Sequence, residues 1–429
     1  MKIKENIILK EIVREGNTVR YRFEVSEAIR PYFTTNEMFV SYDDGIDLSE
    51  IPDSILAIPF VGSVIALSWL IDAVLWVKDI DDTFYKSARN LKLAYSELYP
   101  HYKFGGRFVA ANRHFNTIPG NRIHDSEALL LFSGGIDAHT SYLRNIGKKP
   151  LLCNIQGWLK DPESESKAQK SDFHDIHEFA RREGCGEALV KSNFATVVDG
   201  RYFSKSLGKK IGDSWWHGFQ HSMSFISIAI PVAYQYGIAE ILIASSHSIG
   251  SKGICASYPT TDTEFRFATR GYTVHDAFEM TRQDKVAFIV DFQKRSDKPY
   301  PIRVCSFNDH NCGVCVKCFR TILEIISEGG DIADFGFYKP ENMREYYDKY
   351  IRSHYIEFGI NREALLFWPE IKRRIKENYN TIEEKDFVDW FNSVDFVAER
   401  KKAVLKYRIQ NFFPLLRKKL MGSDFEAKR

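Results

Sequence analysis

Ser133-Gly134-Gly135-Ile136-Asp137 follows directly on the apolar run Leu129-Leu130-Leu131-Phe132, and residues of these types in this order can cradle a phosphate. Two adjacent glycines open backbone conformations closed to residues with a Cβ. Successive N–H groups can then turn toward one anion at the positive end of the helix that Ala138 to Arg144 can start. Ser133 adds a hydroxyl donor. A carboxylate gains nothing from a neighbouring anion, so Asp137 points to Mg²⁺ coordination or to orientation of the loop. Taken alone, the stretch reads equally as a tight strand-to-helix connection. Its place between a buried strand and a helix favours a nucleotide, contacted by Phe132, Ser133, Gly134, Gly135, Ile136 and Asp137, with Ser133 and Asp137 also candidates for catalysis.

A second constellation is Cys305, Cys312, Cys315 and Cys318, four thiols spaced Cys-x6-Cys-x2-Cys-x2-Cys. Two-residue gaps, eased here by Gly313, let a tight turn aim consecutive sulfurs at one tetrahedral ion, and four cysteines leave no open position. A structural Zn²⁺ is expected; an iron–sulfur cluster is the alternative with the same ligands. His310, inside the loop, reads as solvent-facing or supporting. Cys153 reads as a small core residue, and Cys255 as a loop thiol with a nucleophilic role as the sharper alternative.

Other polar residues gather where strands are expected to end. Asn154 and Gln156 close the run from Leu151, while Ser245 and Ser246 open a polar loop through Gly253 after Ile241-Leu242-Ile243-Ala244. Tyr258, Asp262, Glu264 and Arg266 follow. Tyr258 joins the nucleotide contacts, and Asp262 and Glu264 are catalytic candidates, able to bind a base edge or a second Mg²⁺. Solvated charge is the plain alternative. Asp213, His217 and His221 begin a helix whose face is expected to border the same cleft, although ordinary packing explains the two histidines as well.

The elements positioning these residues are legible from periodicity. Strands are expected at 128–132, 150–155, 187–190, 240–245 and 302–305, and helices near 138–146, 168–184, 217–237 and 276–295. This alternation belongs to an α/β, doubly wound parallel sheet, with ligands beyond the C-terminal strand ends. Before it, Thr18 to Val25 alternates as a half-buried strand, and Ile51 to Val77 and Phe84 to Tyr99 carry helical spacing. Three parts are expected: an α+β unit at 1–122, the core at 123–335, and a helical region at 336–429. That last region includes Phe387 to Phe391, Ala398 to Leu420 and the basic ending Arg417-Lys418-Lys419 near Phe412 and Phe413.

With 429 residues, 44% hydrophobic and 27% charged, the chain exceeds one core, and its net charge of +2 argues for no polyanionic partner. Nucleic acid is left undecided. The start Met1-Lys2-Ile3-Lys4-Glu5-Asn6 has no signal-peptide core, and seven cysteines fit a reducing compartment, so a cytoplasmic protein is expected. Ile58 to Val77 is long enough to span a bilayer, but Pro59, Asp72 and the acidic flank after Lys78 favour a buried helix, and no membrane partner is expected.

Together, the Ser-Gly-Gly-x-Asp loop and the Cys-x6-Cys-Gly-x-Cys-x2-Cys element resemble the QueC family of PP-loop ATP pyrophosphatases, the 7-cyano-7-deazaguanine synthases. Between them, Tyr258-Pro259-Thr260-Thr261-Asp262-Thr263-Glu264-Phe265 is similar to that family's Tyr-Pro-Asp-Cys-Arg-Pro-Glu-Phe segment. The chain departs at Ala138, where the family loop has serine, and in the middle of the Tyr-Pro segment. The resemblance spans roughly 123–330. It implies a PP-loop (HUP-type) fold, ATP and Mg²⁺ beside Zn²⁺, and activation of a deazapurine-type carboxylate as an acyl-adenylate that an amine captures. The long layout resembles the QueC-like proteins of the Qat and type IV CBASS anti-phage systems, which implies a partner protein as acyl acceptor in place of ammonia. A homodimer is the other partner considered. The cell-envelope epimerases that adenylate a glutamate carboxylate offer a parallel, so an epimerase or amide ligase is the alternative, and a non-catalytic ATP-binding scaffold a third.

Overall fold

A computed structural model describes residues 5–120, 125–157, 167–250, 253–296, 298–305, 308–355 and 357–411. Lys252, part of the expected loop at 154–160, and the basic ending with Phe412 and Phe413 lie outside the described residues. The chain divides into two units, Met1–Lys285 and Val286–Arg429.

The first unit is α/β, and among its described residues eleven strands form one mixed, mostly parallel sheet. They are β1 (Asn6–Glu15), β2 (Thr18–Val25), β3 (Glu37–Tyr42), β4 (Val74–Asp81), β5 (Arg107–His114), β6 (Ala128–Leu131), β7 (Leu151–Gln156), β8 (Glu187–Ser192), β9 (Glu240–Ala244), β10 (Arg266–Phe267) and β11 (Gly271–Asp276). Their order is β10-β11-β9-β6-β7-β8-β3-β2-β1-β4-β5. Within it, β8, β7, β6, β9 and β11 are parallel neighbours. The chain steps one way from β6 to β8, then returns to β9 on the other side of β6. Such a reversal opens a crevice beyond the C-terminal strand ends. Strand β7 is buried at all six residues, as a parallel strand covered on both faces must be.

The N-terminal segment does not fold apart. Antiparallel β3 pairs with β8, Val40 opposite Ser192 and Tyr42 opposite Val190, which extends the sheet. Tyr21, Phe60, Leu129 and Ile241 belong to one continuous core. The division therefore falls at 285/286, where the expected boundaries were 122/123 and 335/336.

Ile51 to Val77 departs from one helical run. Helix Ile58–Leu70 ends, the chain turns at Asp72 (φ 55°), and Val74 onward is strand β4. Asp72 Oδ1 accepts from the Gly106 N–H at 2.6 Å, which fixes that turn. All thirteen residues of Ile58–Leu70 are buried, and the apolar stretch Asp53–Leu70, long enough to cross a membrane, is 94% buried inside the fold. At Gly62 a Cβ would lie 1.8 Å from Ser227 Oγ, so this glycine permits close contact with helix His221–Gln235. The expected helix at 217–237 is a π-helical turn, Trp216–Gln220, leading into His221–Gln235.

Residues 302–305 form no strand. Pro299 and Pro301 withhold donors nearby. The Asn311 amide instead serves that backbone, donating to Ile302 O at 2.8 Å and accepting from Val304 N at 3.0 Å. The fifth parallel strand is β11, ahead of the helix Arg282–Ser296. The second unit carries the cysteine element and the helices Val316–Ser327, Met343–Ser353, Ile360–Leu366, Trp368–Asn378, Lys385–Ser393 and Phe396–Gln410. Phe387, Val388, Trp390 and Phe391 are buried there, with Trp368 and Phe396 packed edge-on to Phe391 and Trp390 respectively.

Candidate functional site

The Ser133–Asp137 stretch leaves the C-terminal end of β6 at the strand-order reversal and enters helix Ile136–Arg144. Gly134 sits at φ +73°, a left-handed conformation that only glycine adopts cheaply. The N-cap residue is Gly135, which has no side chain to cap the helix N-terminus and compete for its first N–H groups. Buried His139 hydrogen-bonds the Gly134 main chain, and its ring packs edge-on to Phe132 (5.0 Å) and Phe179 (4.8 Å). Burial pushes this imidazole down to about 3, so it is neutral. Asn154, in β7, donates to Phe132 O at 2.8 Å, and its buried Oδ1 has no partner among the described residues.

Asp137 is met by two cations. Lys285 Nζ lies 2.9 Å from Oδ1, and Arg282 Nη1 lies 3.6 Å from Oδ2. The Lys285 side chain is only 2% exposed and also donates to Ser245 O. One ammonium thus ties the loop after β6 to the loop after β9. The expected contacts Phe132 to Asp137, Asn154, Gln156 and Ser245 accordingly meet at one sheet edge. Ser245 is buried, its hydroxyl donating to His247 O at 2.7 Å, whereas Ser246 is exposed.

The Tyr-Pro segment is placed differently from a solvent-facing acidic pair. Asp262 is fully buried: Oδ2 accepts from Ser257 Oγ at 2.7 Å and lies 2.8 Å from His275 Nδ1, while Oδ1 and His275 Nε2 have no hydrogen-bond partner among the described residues. Tyr258 packs edge-on to Phe278 at 5.4 Å, and Glu264 is half-buried. Of the two histidines at 217–221, His217 Nδ1 lies 2.9 Å from Asp213, and burial lowers His221 below the usual imidazole range. His217, His247 and Cys255 form a cluster whose donor atoms all lie within 4.8 Å of one another.

In the second unit, the Cys305, Cys312, Cys315 and Cys318 sulfurs likewise lie within 4.8 Å of one another and can hold a metal such as zinc. The folding of this piece follows from its turns. Gly313 takes φ +71°, Cys312 Sγ accepts from Cys315 N at 3.3 Å, and Cys315 Sγ accepts from Cys318 N at 3.5 Å while capping helix Val316–Ser327. These N–H groups stabilise thiolate charge. The contact with Cys318 holds the Cys315 thiol down, to about 5, and the same contact pushes Cys318 up. Tyr347 OH donates to Gly313 O at 3.1 Å and braces the turn.

No family model, curated protein or solved structure matches the chain. Three site residues escape a reading of the sequence. Lys285 looks like a solvated charge opening a helix, His139 like any helical histidine, and His247 like part of a polar loop. For Lys285 the one local signal is its position just ahead of the apolar run Val286-Ala287-Phe288-Ile289-Val290.

Proposed function

We propose that the chain is an ATP-dependent acyl-adenylating enzyme of the QueC type, built on a PP-loop core. It activates a 7-deazaguanine-type carboxylate with release of pyrophosphate and couples the acyl group to an amine, of ammonia or of a partner protein, in bacterial anti-phage defence. The observation carrying this reading is the glycine loop at the strand-order reversal: an uncapped helix N-terminus entered through a left-handed glycine, with Lys285 and Arg282 close by. ATP and Mg²⁺ fit these residues. The N–H groups of Gly135 and Ile136 and the Ser133 hydroxyl would hold phosphate oxygens, and Asp137 would serve Mg²⁺, which supplies charge neutralisation on the phosphates. Lys285 and Arg282 would stabilise negative charge growing on pyrophosphate as the carboxylate oxygen attacks the α-phosphorus and the bond to the β-phosphate oxygen breaks. Asn154 Oδ1, a buried acceptor without a partner among the described residues, suits the amino group of a purine.

A second reading, a non-catalytic ATP-binding scaffold, is favoured by Ala138. This residue is 2% exposed and offers no hydroxyl where the family loop has one. Incubating the purified chain with ATP, Mg²⁺ and 7-carboxy-7-deazaguanine, with and without ammonium, separates the two. AMP and pyrophosphate appear in equal amounts if the enzyme reading holds. Binding of ATP with neither product, across this acid and a panel of others, leaves the scaffold.

A further inference from the structure

We propose that His217, His247 and Cys255 form a zinc site in the first unit, separate from the four-cysteine cluster, with an open coordination position for a substrate oxygen. The proposal stands apart from the adenylation reading, because it rests on the cluster alone.

Three kinds of observation carry it. The donor atoms already lie within 4.8 Å of one another, although His217 comes from the turn Trp216–Gln220 and His247 and Cys255 from the loop after β9. The pieces are tied together: Ala256 N donates to His217 O at 2.7 Å, so the residue after the thiol is bonded to the backbone of a histidine ligand. The support behind the ligands is also in place. Asp213 Oδ1 and Oδ2 lie 2.9 and 3.1 Å from His217 Nδ1, which reserves Nε2 for an ion, and Tyr99 OH fixes Asp213 at 2.8 Å. A carboxylate holding the far nitrogen is the usual companion of a metal-bound imidazole. His217 also occupies a π-helical turn, a local irregularity common at functional sites.

One thiolate and two imidazoles suit Zn²⁺, and three protein ligands leave the fourth position that substrate-handling zinc sites keep. Cys255 is buried, so the fold rather than the ion fixes where its thiol sits.

Metal content of the full chain, purified without chelators, tests the site. Two zinc ions per chain are expected, one for each cluster. His247→Ala and Cys255→Ala should each lose one ion and keep the other, while Cys312→Ser loses the other. Asp213→Asn removes no ligand and should weaken zinc binding about 10- to 100-fold, which keeps the test open if a ligand variant fails to fold. After cobalt exchange, Cys255→Ala should remove a minor part of the thiolate-to-cobalt absorption and Cys312→Ser a major part. Metal content unchanged in His247→Ala and Cys255→Ala overturns the proposal. So does copper in place of zinc, recognisable by intense visible colour, or unaltered affinity in Asp213→Asn.

Discussion

Gly134→Ala isolates the glycine loop from the fold that carries it. Gly134 holds φ +73°, and a Cβ built there meets no heavy atom within 4 Å, so the cost is torsional rather than steric. A left-handed alanine costs about 1–2 kcal/mol, and the loop can shed that strain by rotating φ below zero. Doing so turns the neighbouring peptide and takes N–H groups away from the anion position. Losing two hydrogen bonds to a charged phosphate, at about 1.5–3 kcal/mol each, weakens binding by about 10²- to 10⁴-fold. Gly184→Ala is the matched control. Gly184 follows helix Lys167–Glu183 at φ +65°, also in open space, and Cys185 N closes the helix end on Ala180 O. Both variants should lose about 1 kcal/mol in urea unfolding, but only Gly134→Ala should lose MgATP in calorimetric titration. The reasoning is refuted if Gly134→Ala binds MgATP as the parent does while unfolding as early as Gly184→Ala, or if both variants lose binding alike.

Lys285→Met removes a 2%-exposed ammonium and leaves both Asp137 and Ser245 O short of a donor; because Asp137 is 27% exposed, the loss falls between surface and buried pairs, at about 2 kcal/mol in urea unfolding. An unchanged urea midpoint would show that the ammonium is not tied there. Cys315→Ser should lower bound zinc by one equivalent and make the second unit's tryptophans, Trp368 and Trp390, unfold earlier; a chelator should not shift the unfolding of those tryptophans further in that variant. His139 gives a pH signature. The folded imidazole sits near 3 and the unfolded near 6.5, so its stabilising contribution is complete above 6.5 and is lost as pH falls toward 3, by about 1.4 kcal/mol per unit. The stability difference between parent and His139→Gln should therefore shift by about 2 kcal/mol from pH 6.5 to 5; a flat difference would show that His139 is not held neutral.

What the sequence displayed depended on how local the cause was. Strands β6, β7 and β9 are short apolar runs, because parallel strands covered on both faces have no polar face to show. The four cysteines lie within one short segment, and their two-residue gaps bring the sulfurs together directly. The union of the N-terminal strands with the core was not local. Alternation in β3 reports that one face is buried, but its pairing with β8 joins residues some 150 positions apart, and no periodicity encodes that. Strand β11 was hidden because Tyr272-Thr273-Val274-His275 mixes aromatic, hydroxyl and imidazole side chains rather than forming an apolar run. Lys285 and the His217, His247 and Cys255 cluster were illegible for the same reason: each becomes a site only when separate loops meet at one sheet edge.

That meeting bears on the order in which ligands enter. Asp137 already faces two cations, at 2.9 and 3.6 Å, and so has no surplus negative charge to offer a third. A divalent ion about 5 Å from an ammonium is repelled by several kcal/mol even at an effective dielectric of about 20. Mg²⁺ should therefore bind with the phosphates of ATP, whose charge reverses the local field, and not ahead of them. Titrating Mn²⁺ as a paramagnetic substitute checks this: its free-ion signal should persist in the presence of protein and fall only once ATP is added. In Lys285→Met, one repelling charge is gone, and Mn²⁺ should begin to bind without nucleotide. Tight Mn²⁺ binding by the parent protein alone, removed by Asp137→Asn, would mean that Asp137 releases its cations freely and that the pairing with Lys285 does not set the order.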